Sequence, residues 1–253
     1  MTSSIIEPTL EQRLAQRIRP KRAPVMYQTW RDLLFLHWEI DPKQIQQTLP
    51  DGLTVDTFDG KAYLGVVPFF MQWIRPKYLP AVPRLSFFLE TNVRTYVYDR
   101  HGTPGVWFYS LDCNQPFAVW AARTFFKLPY FNAKMSAHRD GAGAINYSTY
   151  RKGTNQNLAS RFRYTRRSQP KSAEIGSLEF FLAERYILFA ETHKGLASGQ
   201  VWHTPYPLCS AEVPVWDANL LALNQFKTPQ RPPDLAHFSS GVTVDVFPLA
   251  LIG

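Results

Sequence analysis

Polar and apolar positions alternate without a break from Phe88 to Tyr98. Glu90, Asn92, Arg94, Tyr96 and Tyr98 fall on one face, and Leu89, Thr91, Val93, Thr95 and Val97 on the other, as a strand requires. The flanking chain is dense in aromatic residues, so the polar face is expected to point inward. A carboxylate, an amide and a guanidinium would then share a protein interior. Buried without partners they are costly, so they must pair with one another or with a ligand. Trp30 to Ile40 alternates in the same way, with Arg31, Leu33, Phe35 and His37 on one face and Asp32, Leu34, Leu36 and Trp38 on the other.

Other segments carry start and stop signals. Thr9-Leu10-Glu11-Gln12 has the form of a capping box, and Leu10, Leu14 and Ile18 follow at helical spacing up to Pro20. Asp41-Pro42-Lys43-Gln44 opens a second short helix that ends near Pro50-Asp51-Gly52. Asp59-Gly60 predicts a hairpin between Leu53–Phe58 and Lys61–Val67. Asn114 is expected to cap a helix through Gln115 to Phe126, with Phe117, Trp120, Ala121 and Thr124 on one stripe and Leu128-Pro129 beyond its end. Further strands are expected at 106–111, 145–151, 160–165, 185–192, 201–203 and 242–251, and short helices at 177–183 and within 214–226. Strands spaced by turns, with few helices, point to a mixed barrel rather than to parallel βαβ units.

Composition narrows the function classes. The chain has 253 residues, and a hydrophobic content of 45% supplies a sizeable core. One barrel domain at 25–253 is expected, preceded by a basic helical extension at 1–24. No apolar run is long enough for a membrane span, and residues 1–8 lack the pattern of a secretory leader. Cys113 and Cys209, far apart in the chain, read as reduced thiols of a cytoplasmic protein. The net charge of +8 is partly concentrated in Arg13–Arg22 and Arg161–Arg167. In the second segment Phe162 and Tyr164 alternate with Arg161 and Arg163, which fits an amphipathic surface strand and no specific nucleic-acid reader. Neither a glycine-rich dinucleotide or phosphate loop nor a nucleophile elbow is present. No cofactor is expected. The scattered histidines and two cysteines lack metal-ligand spacing, so no metal is expected either.

Several phrases together resemble one family. Trp30-Arg31-Asp32-Leu33-Leu34-Phe35-Leu36-His37-Trp38, Leu49-Pro50-Asp51-Gly52-Leu53, Glu90-Thr91-Asn92-Val93-Arg94-Thr95-Tyr96-Val97, Gly105-Val106-Trp107-Phe108-Tyr109, Leu128-Pro129-Tyr130 and Glu184-Arg185-Tyr186 are similar to the YqjF-like family (domain of unknown function 2071). The resemblance spans about residues 25–213. That family looks like a branch of the acetoacetate decarboxylase-like superfamily. It implies an α+β fold: a mainly antiparallel conical β-barrel with peripheral helices and a polar interior pocket. Arg31 resembles an arginine that reaches the decarboxylase active site, and the helix with Arg123 resembles the segment before the decarboxylases' adjacent lysine pair. One lysine of that pair forms a Schiff base, and its neighbour's charge lowers its pKa. Here Tyr130 and Phe131 stand at the aligned positions, while Lys127 and Lys134 are separated. The resemblance therefore supports the pocket and not the imine chemistry.

The candidate site follows. Glu90 and Tyr130 are candidate catalytic groups for proton transfer, and Arg31, Asn92, Arg94 and Arg123 are candidate ligand-binding groups. Arg31 and Arg94 either bind an anion or form ion pairs with Glu90, so losing either arginine is expected to strand a buried charge. Glu184-Arg185-Tyr186 reads as the structural start of a strand. The expected partner is a small anionic organic molecule, either turned over or only bound and sensed.

Overall fold

The computed structural model describes residues 7–252. In chain order the strands are β1 Met26–Ile40, β2 Leu53–Val55, β3 Ala62–Pro76, β4 Phe88–Asp99, β5 Pro104–Cys113, β6 Tyr130–Arg139 and β7 Ile145–Arg151. They continue with β8 Ser160–Arg166, β9 Ile187–Thr192, β10 Gly195–Trp202, β11 Leu208–Trp216, β12 Leu235–Val246 and β13 Ala250–Leu251. Short helices lie between them: α1 Leu10–Ala15, α2 Pro42–Gln46, α3 Pro116–Phe125, α4 Leu178–Ala183 and α5 Asn219–Ala222. The molecule is mostly sheet, mostly antiparallel, with parallel pairing of β5 to β6 and to β9.

The strand pairings return on themselves twice. One circuit runs β12-β1-β3-β4-β5-β9-β10 and back to β12. A second leaves β5 through β6, β7, β8 and β11 to reach β12. Strands β12, β1, β3, β4 and β5 belong to both, so both of their faces are covered. Along β1, Leu34, Leu36 and Trp38 enter one core with Val93, Tyr147, Phe162 and Tyr164. Leu33 and Phe35 enter another with Val67, Phe69, Val201 and Val244. Double coverage is why β4 is buried along nearly its whole length despite its polar row. Each large apolar side chain so buried contributes roughly 1.5–3 kcal/mol.

The basic segment at 161–167 lies largely in β8. Phe162 and Tyr164 are fully buried, and the outward Arg161 and Arg163 pair with Asp217 and Asp140. The N-terminal basic segment is tied down by charge. Arg13 bonds Asp56 with both terminal nitrogens at 2.7 Å, Arg17 approaches Glu184 and Arg19 pairs with Asp245.

Several local expectations are corrected. Asp59-Gly60 does make a tight turn, with φ of 50° and 76°, but it closes a single bridge, Phe58 to Lys61. Strand β2 pairs with β4 and not β3. Helix α3 is capped by Gln115, whose side chain accepts from the amides of Phe117 and Ala118, while Asn114 accepts from the Leu89 amide at 2.8 Å. Its Phe117 and Trp120 face outward, and Val119 is its buried residue. Strands β6 and β11 were not anticipated. No helix among the described residues is long and apolar enough to cross a membrane.

Candidate functional site

The seven-strand circuit encloses a cavity of about 530 Å³. Its wall is predominantly apolar, built from residues such as Leu33, Val67, Phe69, Phe108 and Leu188. The charged side chains in that wall are Glu90, Arg94 and Arg185, with Asn92, Tyr130 and Tyr206 among the polar ones. Strand alternation places Glu90, Asn92 and Arg94 in one row. At about 3.3 Å per residue the row spreads charge and amide over roughly 13 Å of strand.

Glu90 is 2% exposed. The Tyr130 hydroxyl donates to its Oε2 at 2.7 Å. Burial pushes the Glu90 carboxyl up to about 8, and the tyrosine bond only partly opposes that, because desolvation penalises the ionised form. Tyr130 itself lies well above the ordinary phenol range, from burial first and then from the neighbouring carboxyl. At neutral pH the pair is thus a carboxylic acid beside a phenol. Among the described residues no other side chain bonds the Glu90 carboxyl, which leaves its proton available to a ligand. Chain geometry fixes Tyr130: Lys127 turns the chain with φ of 54° after α3, and β6 begins at Tyr130.

Asn92 is buried, and its Oδ1 has no partner. Arg94 is 8% exposed. One terminal nitrogen reaches the Leu182 carbonyl at 3.4 Å, and its Nε is unpartnered. The guanidinium lies over the rings of Phe35 and Tyr96 at 5.5 and 5.6 Å. No carboxylate of the described residues lies within ion-pair distance of it. Arg185 lies 5.1 Å from the same Tyr96 ring. It donates to the Phe181 carbonyl and to Asp56 at 2.7 Å, and its second terminal nitrogen is free. Burial lowers its pKa, and Asp56 opposes the shift. Two guanidinium groups with unused N–H donors, each beside the Tyr96 ring, therefore line the cavity, where a carboxylate or similar anion can accept from them.

Two expected site residues are placed elsewhere. Arg31 is exposed, does not line the cavity and does not approach Glu90. The cause is a bulge: Asp32 has φ of 52°, and the register between β1 and β3 shifts between Arg31 and Leu36. An extra residue inverts the alternation, so Trp30 and Leu33 face the cavity and Arg31 does not. Arg123 is also exposed and outside the cavity wall. Its Nε donates to the Tyr130 carbonyl at 2.6 Å, so it holds the backbone of Tyr130. Phe131 points away from the cavity, 4.1 Å below the Arg151 guanidinium.

Arg185 is the cavity residue that sequence reasoning missed. Its triplet Glu184-Arg185-Tyr186 was visible, but it lies in the link between α4 and β9, where strand alternation does not govern direction. Glu184 accepts from the Tyr186 hydroxyl and from the Tyr206 amide. His37 shares a 2.6 Å hydrogen bond with the Tyr96 hydroxyl, and its Nδ1 has no partner. Burial, reinforced by Arg94, holds it well below the usual histidine range. His203 is likewise pushed down to about 4 by burial and stacks on Tyr186. Both rings are neutral at pH 7, so Arg94 and Arg185 carry the positive charge of the cavity wall.

This mostly-β chain with its doubly closed strand circuit shares the acetoacetate decarboxylase-like fold of several solved structures. An acetoacetate decarboxylase-like enzyme from Sphingomonas wittichii RW1 superposes with a TM-score of 0.60 at 14% identity, covering 92% of this chain and 94% of that one. The enduracididine biosynthesis enzyme MppR complexed with pyruvate gives 0.62 at 11%, covering 92% and 91%. Acetoacetate decarboxylase from Legionella pneumophila gives 0.62 at 11%, covering 99% and 98%. Within that fold the chain belongs to the DUF2071 family, described as an uncharacterized conserved protein, whose model matches residues 27–243. Uncharacterized protein YqjF of Bacillus subtilis (strain 168) is 36% identical over 225 residues, 89% of this chain and 91% of that one.

Proposed function

We propose that this chain is a cytoplasmic enzyme built on a conical β-barrel, acting on an anionic organic compound by proton transfer without a Schiff-base lysine. The single observation that carries this reading is the Glu90–Tyr130 pair, a neutral carboxyl bonded to a phenol and facing a cavity whose wall holds no lysine. Lys127 and Lys134 are exposed. The decarboxylase neighbours share the fold, and fold alone does not carry their chemistry across.

In this reading Arg94 and Arg185 hold the anionic group and the Asn92 amide donates to a carbonyl oxygen of the substrate. Glu90 exchanges a proton with the carbon beside that carbonyl. A carboxyl with a pKa near working pH suits this task in either direction. Its basic form grows as pH rises toward about 8, so proton abstraction should accelerate over that range. The test is proton–deuterium exchange of a keto-acid panel in heavy water, followed by NMR. Wild type should catalyse exchange with a midpoint near pH 8 that disappears in Glu90→Gln. Binding without exchange, equal in the two proteins, would instead support a ligand-binding or sensing module, which the unsatisfied donors of Arg94 would serve equally well.

A further inference from the structure

The form of the cavity says more about the ligand than its charge does. Charge in the wall is confined to Glu90, Arg94 and Arg185. Beyond Arg94 on β4 the next inward residue, Tyr96, is fully buried and outside the wall, so the arginine end is the closed end. Toward the start of β4 the wall passes through Phe88 to Leu79, Val82, Leu85, Phe117 and Phe125. These five are also exposed, Phe125 to 63%, so the cavity opens to solvent through an apolar rim. Exposed apolar surface in such a cluster usually marks a binding site. On the α3 side the wall between the rim and Tyr130 includes Ala118, Ala121 and Ala122, small residues that leave the channel wide.

Capacity points the same way. A volume of about 530 Å³ admits about 18 non-hydrogen atoms at the roughly 30 Å³ that a water molecule occupies. A keto acid as short as pyruvate or acetoacetate would leave most of it, and the apolar wall toward the rim, without a partner.

Resting on the anionic-ligand reading above, we propose that the substrate is an amphipathic monoanion. A carboxylate head enters first and binds Arg94 and Arg185, and an extended apolar body fills the channel toward the rim of Leu79, Val82, Leu85, Phe117 and Phe125. Head-first entry carries the head past Glu90 and Asn92 to Arg94, so the carbons behind it lie beside Asn92 and Glu90, while the rest of the tail lies among side chains that bear no charge. The unpartnered Nε of Arg94 and the free terminal nitrogen of Arg185 are the donors for the head, and the apolar wall sets the length of the tail.

Isothermal titration of the full chain with straight-chain carboxylates from butanoate to dodecanoate, with phenylbutanoate and with the neutral decanol tests this. Affinity should tighten about fourfold for each added methylene until the channel is full, then level off. Arg94→Met should weaken decanoate at least tenfold and leave decanol unchanged. Ala122→Trp, which narrows the channel away from the arginines, should flatten the chain-length series and spare butanoate. Butanoate binding as tightly as decanoate, with both lost in Arg94→Met, would overturn the amphipathic ligand and leave the anionic reading intact. Decanol binding as tightly as decanoate, with no effect of Arg94→Met, would overturn the anionic reading itself. Absence of binding along the whole series would overturn the proposal.

Discussion

Replacing Glu90 by glutamine isolates the cost of a buried carboxyl. The side chain keeps its size, and its amide oxygen can still accept the Tyr130 hydroxyl proton. The native carboxyl binds its proton up to about pH 8, against an ordinary value of 4.5. Between those values the native state holds a proton that the unfolded state has released. Stability therefore falls as pH rises through this window, by about 1.4 kcal/mol per pH unit. The full shift corresponds to roughly 5 kcal/mol, present below the ordinary value and lost above about pH 8. Urea unfolding of both proteins at steps from about pH 5 to about pH 8 reads it out. The glutamine variant should gain roughly 4 kcal/mol relative to wild type over that span, because the other titrating groups cancel in the difference. Parallel curves would mean that Glu90 is solvated or ionised in the folded protein.

Other outcomes follow from the same geometry. Arg94→Met removes a buried cation that has no carboxylate partner, so the ligand-free protein should melt higher, by roughly 1–3 kcal/mol on the scale of buried polar groups; a lower melting temperature would reveal a partner. Asp56→Asn leaves Arg185 buried without its countercharge, and denaturant unfolding should register a loss of about 3–5 kcal/mol. Borohydride reduction in the presence of acetoacetate, followed by peptide mapping, should give no lysine adduct. An ordinary lysine is almost wholly protonated at neutral pH, and Lys127 and Lys134 are exposed; a stoichiometric adduct on either would restore the imine mechanism.

The polar row of β4 was legible in the sequence because a central strand keeps strict alternation, and because aromatic neighbours marked its surroundings as interior. Arg31 was not legible for the opposite reason. Its direction depends on the bulge at Asp32, next to the pairing of Arg31 with Gly241 in β12. At Gly241 φ is 122°, and an added Cβ would sit 2.0 Å from the Trp30 carbonyl. A contact between residues so distant along the chain leaves no periodic trace in either segment. Arg185 escaped because it follows the end of α4, where backbone direction is set by tertiary packing. The outward aromatic stripe of α3 was read from helical spacing as a stripe, but periodicity cannot say whether a stripe meets the core or the mouth of a cavity. The double use of β1, β3, β4, β5 and β12 was also hidden, since pairing partners are long-range.

In the reading argued above, an anionic ligand enters the cavity and engages Arg94. An NMR titration that follows the arginine Nε–H resonances while decanoate is added tests it most directly. The Arg94 signal, identified by its absence in Arg94→Met, should shift as the currently unpartnered Nε–H gains an acceptor, and the shift should saturate with the binding curve. A signal that stays in place at saturating ligand, or undiminished binding by Arg94→Met, would show that the anion does not bind at Arg94.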